Sequence, residues 1–183
     1  MTTQIKGNDT STFGGAVDLG ANNLTTTGNA DVGQVVTDAP AFSATQTASA
    51  TQSIANATST KVLFDTEEFD TTNDYTSSTF TPSVEGYYLL RSQLWMDGAN
   101  SQNTMQCRLY KNGSNYRSLG IIGDAVNQNV TLGGSILVYA NGTTDYFEIY
   151  AYQNSGSAMN VVAGGNGDLT YFSGVLVRAV WVQ

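Results

Sequence analysis

The sequence predicts an all-β protein, an antiparallel sandwich of about ten strands preceded by an extended N-terminal segment. Apolar and polar residues alternate with a period of two in run after run, as they do in strands that bury one face. Asn-Gly and other turn sequences separate these runs. No apolar pattern with the 3.6-residue period of an amphipathic helix is sustained over any length, so the alternation is best explained by two packed sheets.

The composition excludes two classes of partner. Of the 183 residues only 12% are charged, and the formal net charge is −8. The seven Lys and Arg are scattered, without a run that could neutralise a row of phosphates, so we expect no nucleic acid partner. No stretch of about 18 apolar residues occurs, so we expect no membrane insertion.

The first 39 residues differ in character from the rest of the chain. They are rich in Gly, Asn and Thr, and their thinly spaced apolar residues cannot bury enough surface to order the segment alone. The segment is either a flexible tail or an extended anchor or stalk that becomes ordered by association, and its short turn-like sequences favour the second. We therefore divide the chain into an anchor or stalk, residues 1–39, and a head, residues 40–183. The N-terminus lacks the apolar stretch of a secretion signal, so we expect the protein to be made in a cytoplasm.

The first half of the head contains short strands followed by a long one. Residues 39–60 are free of charge and predict one edge strand, which contains Phe42, and then a long loop. Residues 61–65 and 75–80 are short strand candidates. Residues 86–97 predict a longer strand whose alternation buries one set of side chains: Tyr88, Leu90, Leu94 and Met96.

The next predicted element is a hairpin. Alternation from Met105 to Leu109 predicts a strand in which Cys107 is a small buried apolar residue. Asn112-Gly113 follows at once, and Asn-Gly between two strands is a strong hairpin signal, because both central residues of a type I′ turn need positive φ. The chain then returns through residues 115–122.

The last third of the sequence contains long strands. Alternate apolar residues from Val126 to Val138 predict one strand, in which Gly133-Gly134 allows a bulge or a close backbone approach. Asn141-Gly142 turns the chain into residues 145–152. Residues 170–182 form a final strand that is apolar on both faces. Such a strand lies centrally in a sandwich and also contacts something outside it, most simply another subunit.

The order of these motifs resembles the C1q/TNF-like jelly-roll family over about residues 40–180. Leu109–Gly113 is similar to the family's Leu-x-Lys-Asn-Gly hairpin, and Phe172–Leu176 is similar to its Phe-Ser-Gly-aliphatic final strand. The family's pattern of aromatic, Phe and Gly-x-Tyr-x-Phe is matched by these residues: Tyr75, Phe80, Gly86, Tyr88 and Leu90.

The resemblance implies both a fold and an assembly. It implies a C1q/TNF-like jelly roll and a homotrimer whose axis is packed by aromatic and aliphatic side chains. In this chain the two-sided last strand would supply the trimer interface, with four residues: Tyr171, Val175, Val177 and Trp181.

The opening of the chain carries a second resemblance. Its residues IKGNDTSTFGG resemble the N-terminal segments of bacteriophage fibre and virion-decoration proteins. This implies a phage virion protein whose residues 1–39 bind other virion proteins and whose head recognises a host-surface glycan or protein, as part of a tail fibre or spike. The alternative is a capsid decoration protein. A third alternative, from another class, is a spike enzyme that degrades polysaccharide.

The candidate sites are sparse. The sequence contains no His for general-base, triad or metal chemistry, so we expect no enzyme and assign no catalytic residues. The densest acidic group is Asp65, Glu67, Glu68 and Asp70, with Asp74 nearby. It could supply a carboxylate pair for glycoside hydrolysis, a calcium site, or merely a solvated loop between strands. We expect no other cofactor.

A second candidate site is a stripe of tyrosines. Tyr146, Tyr150 and Tyr152 alternate along one predicted strand and therefore share a face. Their rings could stack on the sugars of a cell-surface glycan. The alternative is that they pack the outer sheet or the trimer interface.

Overall fold

The computed structural model describes residues 39–99, 104–123 and 128–179. Within these ranges the chain is all-β and forms thirteen strands, three of them only two residues long, so the ten longer strands agree with the predicted number. In chain order they are β1 (Ala41–Thr45), β2 (Thr51–Ile54), β3 (Thr60–Lys61), β4 (Thr66–Asp70), β5 (Tyr75–Thr76), β6 (Thr79–Phe80), β7 (Glu85–Ala99), β8 (Met105–Lys111), β9 (Ser114–Ile122), β10 (Gln128–Asn141), β11 (Phe147–Gln153), β12 (Met159–Val162) and β13 (Tyr171–Ala179).

The strands form two antiparallel sheets that pack against each other. The larger sheet has the order β2-β12-β7-β13-β1-β4, with β10 also paired to β7. The smaller sheet has the order β5-β6-β11-β8-β9, with β3 also paired to β11. Alternate side chains of both sheets form one buried apolar core between them, as the period-two pattern predicts. None of the described residues belongs to a helix that could cross a membrane.

An aromatic cluster joins the two sheets. The Phe42 ring, on β1 of the larger sheet, lies 4.9 Å from Tyr75 and 4.3 Å from Phe80, which belong to the smaller sheet. Phe172 on β13 packs edge-on against Phe42 at 4.9 Å. Offset-stacked and edge-to-face pairs at these distances stabilise beyond the area they bury. The packing of β1 against the β5–β6 hairpin is therefore stabilised by rings from four strands.

Two glycine-based predictions are confirmed. Asn112 and Gly113 connect β8 to β9 with φ of 53° and 75°, as a type I′ turn requires. At Gly134 an added Cβ would lie 2.5 Å from the carbonyl oxygen of Leu119 on β9. At Gly133 it would lie 2.1 Å from the carbonyl oxygen of Ser92 on β7. The backbone of β10 therefore approaches both neighbours closely at this glycine pair.

The start of the head differs from the prediction in two ways. β1 lies between β13 and β4 and is not an edge strand. The predicted loop after it contains a strand, β2, which pairs with β12 and buries Ile54. The pairing partner lies about a hundred residues away along the chain, so local composition could not reveal it.

The predicted strands at residues 61–65 and 75–80 are both interrupted. The first ends at Lys61. The Val62 amide still donates to the Ile149 carbonyl oxygen of β11, but the Leu63 and Phe64 amides donate to the side chains of Gln52 and Ser78 and not to a neighbouring strand. The second is a tight hairpin of β5 and β6, turned by Ser77 and Ser78 with φ of 49° and 60°. The acidic residues between them lie largely on β4, so the expected loop is wrong for Glu67, Glu68 and Asp70, although Glu67 and Glu68 are exposed to solvent as that alternative expects.

The N-terminal segment lies almost wholly outside the described residues. Only Ala39 of the predicted anchor is described. The division of the chain at residue 40, and the role of residues 1–39, therefore stay predictions.

Candidate self-association surface

The outer face of the larger sheet carries a row of apolar side chains. β13, β7 and β10 lie side by side, and their register places Val175, Leu89 and Leu137 opposite one another. In the adjacent row Tyr87 lies opposite Tyr139. Successive side chains of a strand point to opposite faces of a sheet, and the chain neighbours of Leu89 and Tyr87 are buried in the core. These five side chains therefore point away from the core.

Together with Val177 these residues form one patch on the described chain. Leu137 is 56% exposed and Val177 is 59% exposed, and the other members are at least 39% exposed. Exposed apolar side chains are normal when scattered, but a contiguous group on one sheet face is typical of an interaction site. We name this group the sheet patch, with six members: Tyr87, Leu89, Leu137, Tyr139, Val175 and Val177.

The sheet patch has a polar border. The Tyr139 hydroxyl donates a hydrogen bond to the Glu85 carboxylate, and its ring lies 5.7 Å from that of Tyr87. The bond to Glu85 raises the pKa of Tyr139, because it stabilises the protonated phenol. The Lys111 ammonium donates to the Tyr139 carbonyl oxygen at 2.8 Å. An apolar centre bordered by hydrogen-bonded and charged groups is the usual composition of a protein interface.

The residues predicted for the trimer interface fall in three places. Val175 and Val177 are members of the sheet patch. Tyr171 lies on the same strand, β13, and shares its face with Val175 because both are odd-numbered positions before the irregularity at Leu176. Trp181 lies outside the described residues.

Four members of the sheet patch were missed in the sequence: Tyr87, Leu89, Leu137 and Tyr139. A signal for them exists. In β7 and β10, as in β13, apolar residues occupy both alternating sets of positions, as in the runs GYYLL and ILVYA. An outside contact is inferred from the two-sided pattern of the last strand alone, although all three strands have this pattern.

The acidic residue Asp65 is bound by the chain itself. Its Oδ1 accepts a hydrogen bond from the Thr47 amide at 2.7 Å. Partial burial acts to raise the pKa of this carboxyl, but the hydrogen bonds from Thr47 outweigh it and the net pKa is lowered. The carboxylate is therefore ionised at neutral pH and stabilises the loop after β1.

The other acidic residues do not converge on Asp65 as a set of ligands. Glu68 accepts a hydrogen bond from the Ser43 hydroxyl at 2.6 Å, and Asp70 accepts one from the Tyr75 amide at 2.7 Å. Only Glu67 joins Asp65 in lining a cavity of about 400 Å³. In the described ranges no group of three or more His, Cys, Asp or Glu side chains is placed to hold a metal ion. The calcium site stays a prediction.

The tyrosine stripe lies on the outer face of the smaller sheet. Tyr150 stacks on Tyr110 with ring centroids 3.8 Å apart, and the guanidinium of Arg108 lies 4.1 Å from the Tyr152 centroid. Tyr146 directly precedes β11 and its hydroxyl lies beside Gly113. One face of the Tyr150 ring is thus covered by Tyr110, and one face of the Tyr152 ring is covered by Arg108. This agrees with the alternative that these tyrosines pack the outer face of the sheet. Glycan stacking on these rings stays a prediction.

Solved structures share this architecture. The globular domain of zebrafish complement 1qA is 13% identical, with 78% of this chain and 99% of that chain covered and a TM-score of 0.50. Murine APRIL at pH 5.0 is 10% identical, with 76% and 99% covered and a TM-score of 0.54. The fold is a C1q/TNF-like jelly roll. Eiger TNF from S. frugiperda is 7% identical, with 79% and 94% covered and a TM-score of 0.51.

At these identities the likeness concerns the fold alone, and it confirms the fold that the sequence motifs predict. No model of a protein family matches the sequence, and no curated protein matches it either.

Proposed function

We propose that this protein is a homotrimeric structural protein of a bacteriophage virion, whose C1q/TNF-like head recognises the host surface as part of a tail fibre or spike. The sheet patch is the observation that carries the proposal. It places six large apolar side chains on one face of one sheet, and packing against another protein surface would remove them from water.

Burial of this face supports assembly energetically. Removing a half-exposed large apolar side chain from water contributes about 1 kcal/mol. Six such side chains in each subunit give a driving force of the order that association requires. The tyrosines and the polar border add directional contacts that a purely aliphatic face would lack.

Three copies are the number that the fold supports. The sequence resembles a family of trimers packed around a central axis, and the patch extends over three adjacent strands of the larger sheet, β10, β7 and β13. In a cyclic arrangement the patch of every copy is buried against its neighbours. The ring is closed, which prevents open-ended polymerisation.

The virion location rests on the opening of the chain, IKGNDTSTFGG, which resembles phage fibre and decoration proteins. In this proposal residues 1–39 bind other virion proteins and the head is exposed. A head that binds and does not catalyse is supported by a sequence without His.

The interface is tested by sedimentation velocity on the full chain. We expect a trimer for the wild type and a monomer for Leu137→Asp, because a carboxylate in the patch would lose its hydration on assembly. Ile121→Asp is the matched control, since Ile121 is an equally exposed aliphatic residue on β9 of the smaller sheet. A monomeric wild type, or a Leu137→Asp variant that assembles as Ile121→Asp does, would contradict the proposed interface.

The biological role is tested by adsorption. Purified wild-type protein and Ile121→Asp should block attachment of the phage to its host, and Leu137→Asp should block it less at equal chain concentration, because a monomer lacks avidity. Protein that leaves adsorption unchanged but binds capsids and raises their heat stability would indicate decoration instead. Release of reducing sugar from a host glycan would indicate the spike enzyme.

A further inference from the structure

A small cavity lies on the same face as the sheet patch, toward the other end of the strands. Its volume is about 220 Å³, and Arg91, Gln93, Thr131, Gly133 and Tyr171 are among its lining residues. Register places Gly133 and Tyr171 on either side of Gln93 in one cross-strand row. Because Gly133 has no side chain, this row contains a gap where other rows of the face are filled. We name this cavity the Arg91 niche.

The guanidinium of Arg91 has no anionic partner within the described ranges. It forms neither a salt bridge nor a hydrogen bond there, whereas Lys61 and Lys111 pair with carboxylates at 2.8 Å. Its carbon Cζ lies 5.4 Å from the centroid of the Tyr171 ring. That cation–π contact positions the charged group beside the cavity without neutralising it.

The other polar groups of the niche are also available. Gln93 donates its amide to the Leu169 carbonyl oxygen at 3.1 Å, which orients the side chain and leaves its own oxygen free to accept. The hydroxyls of Thr131 and Tyr171 bond to no other described residue. The niche therefore combines one forked cation with hydroxyl donors and one amide acceptor.

We propose that the Arg91 niche binds a carboxylate group. A guanidinium binds a carboxylate through two parallel N–H···O bonds, and hydroxyl donors can saturate the remaining lone pairs. One arginine neutralises one negative charge, and no second cation among the described residues lines the niche, which favours a carboxylate over a doubly charged phosphate. The volume suits an acidic side chain or a single small acid such as one sugar acid, and not a ligand of several sugar units.

Assembly makes such a partner necessary, and in this respect the inference rests on the proposed function. Association through the sheet patch would withdraw water from the neighbouring Arg91, and an unpaired charge in such a place is strongly unfavourable. The carboxylate could belong to an acidic side chain of a neighbouring copy or to a free acid such as an acidic sugar. Both present the same chemical group to the guanidinium.

The test uses the full chain and two measurements. The first is calorimetric titration with sodium glucuronate, with glucose as the uncharged comparison. The second is the self-association constant from analytical ultracentrifugation. The variants are Arg91→Gln and Thr131→Val. Arg117→Gln is the matched control, because Arg117 is exposed on β9 and, among the described residues, bonds only to its neighbour Tyr116. Thermal unfolding confirms that each variant is folded.

A free acid as the occupant predicts that the wild type binds glucuronate and not glucose, and that Arg91→Gln weakens binding about ten-fold or more, with Thr131→Val intermediate. A neighbouring copy as the source predicts that Arg91→Gln weakens self-association about ten-fold or more, while the assembly does not take up glucuronate. In both cases Arg117→Gln should match the wild type.

The inference is overturned if Arg91→Gln and Thr131→Val match the wild type in both measurements. Should Arg91→Gln fail to fold, Thr131→Val alone decides, since it removes one hydroxyl at an exposed site. A wild type that stays monomeric would refute the proposed assembly, but glucuronate titration of that monomer would still decide whether the niche binds a carboxylate.

Discussion

Phe42 lies at the centre of the aromatic cluster that joins the two sheets. Its ring contacts Tyr75, Phe80 and Phe172, which come from three different strands and from both sheets. Phe172 also contacts three rings, but only one of them, Tyr75, lies on a strand of the opposite sheet, whereas Phe42 contacts two such rings. The loss of this one side chain would therefore leave a cavity that neighbours fixed in two sheets cannot collapse to fill.

We expect Phe42→Ala to lower the free energy of unfolding by about 3–5 kcal/mol, because a fully buried ring is lost and a cavity remains. Phe69→Ala removes the same atoms from a side chain that is 51% exposed on β4, and it should cost less than about 1 kcal/mol. Urea unfolding at one fixed protein concentration measures both, since assembly makes stability depend on concentration. Equal losses would show that Phe42 does not hold the core as described.

Burial of individual residues could be predicted wherever only one face of a strand is apolar. Met105, Cys107 and Leu109 on β8 are all fully buried, as alternation predicts, and burial raises the pKa of Cys107 to about 12. Where both faces are apolar, alternation names two sets without telling which one faces the core. For this reason Tyr87 and Leu89 could not be recognised as members of an outer apolar face. Only the opposing sheet, which packs on one face of β7, distinguishes the buried set from the exposed set.

At the scale of elements, the β8–β9 hairpin depends on left-handed backbone at its turn. Gly113 has φ of 75°, and we expect Gly113→Ala to lower the free energy of unfolding by about 1–2 kcal/mol, since a Cβ is strained there. Gly123→Ala is the control, because Gly123 does not have positive φ and an added Cβ would meet nothing within 4 Å. Thermal or urea unfolding of the two variants compares them. A Gly113→Ala variant as stable as Gly123→Ala would argue against the type I′ turn.

The shortest elements could not be predicted, because distant residues determine them. β3 consists of Thr60 and Lys61, which pair with Tyr150 and Ala151 of β11, about ninety residues away. Beyond Val62 the chain no longer pairs with β11, because the amides of Leu63 and Phe64 donate to the side chains of Gln52 and Ser78. Local alternation contains no information about either contact. The long strands β7, β10 and β13, in contrast, could be predicted because their apolar patterns extend over many residues.

At the scale of the whole molecule, the sheet patch emerges from three stretches that are distant in sequence. β7 pairs with β10, β12 and β13, and this central position brings residues 85–99, 128–141 and 171–179 onto one face. Strand order of this kind follows from the fold and not from any local pattern, so the resemblance to the C1q/TNF-like family was the one means of anticipating it. The Arg91 niche was not anticipated at all, because its gap depends on the register that places Gly133 beside Gln93.

The same geometry predicts how the chain divides. The sheet patch and the described core lie entirely within residues 40–183, so a protein that begins at residue 40 should fold alone and self-associate with a dissociation constant within about three-fold of that of the full chain. It should still block phage adsorption but should no longer be incorporated into virions, because residues 1–39 are the proposed anchor. Sedimentation, adsorption assays and incorporation into particles measure the three properties side by side. A truncated head that is folded but monomeric would place the drive for assembly in the first 39 residues and would contradict the sheet patch as the interface.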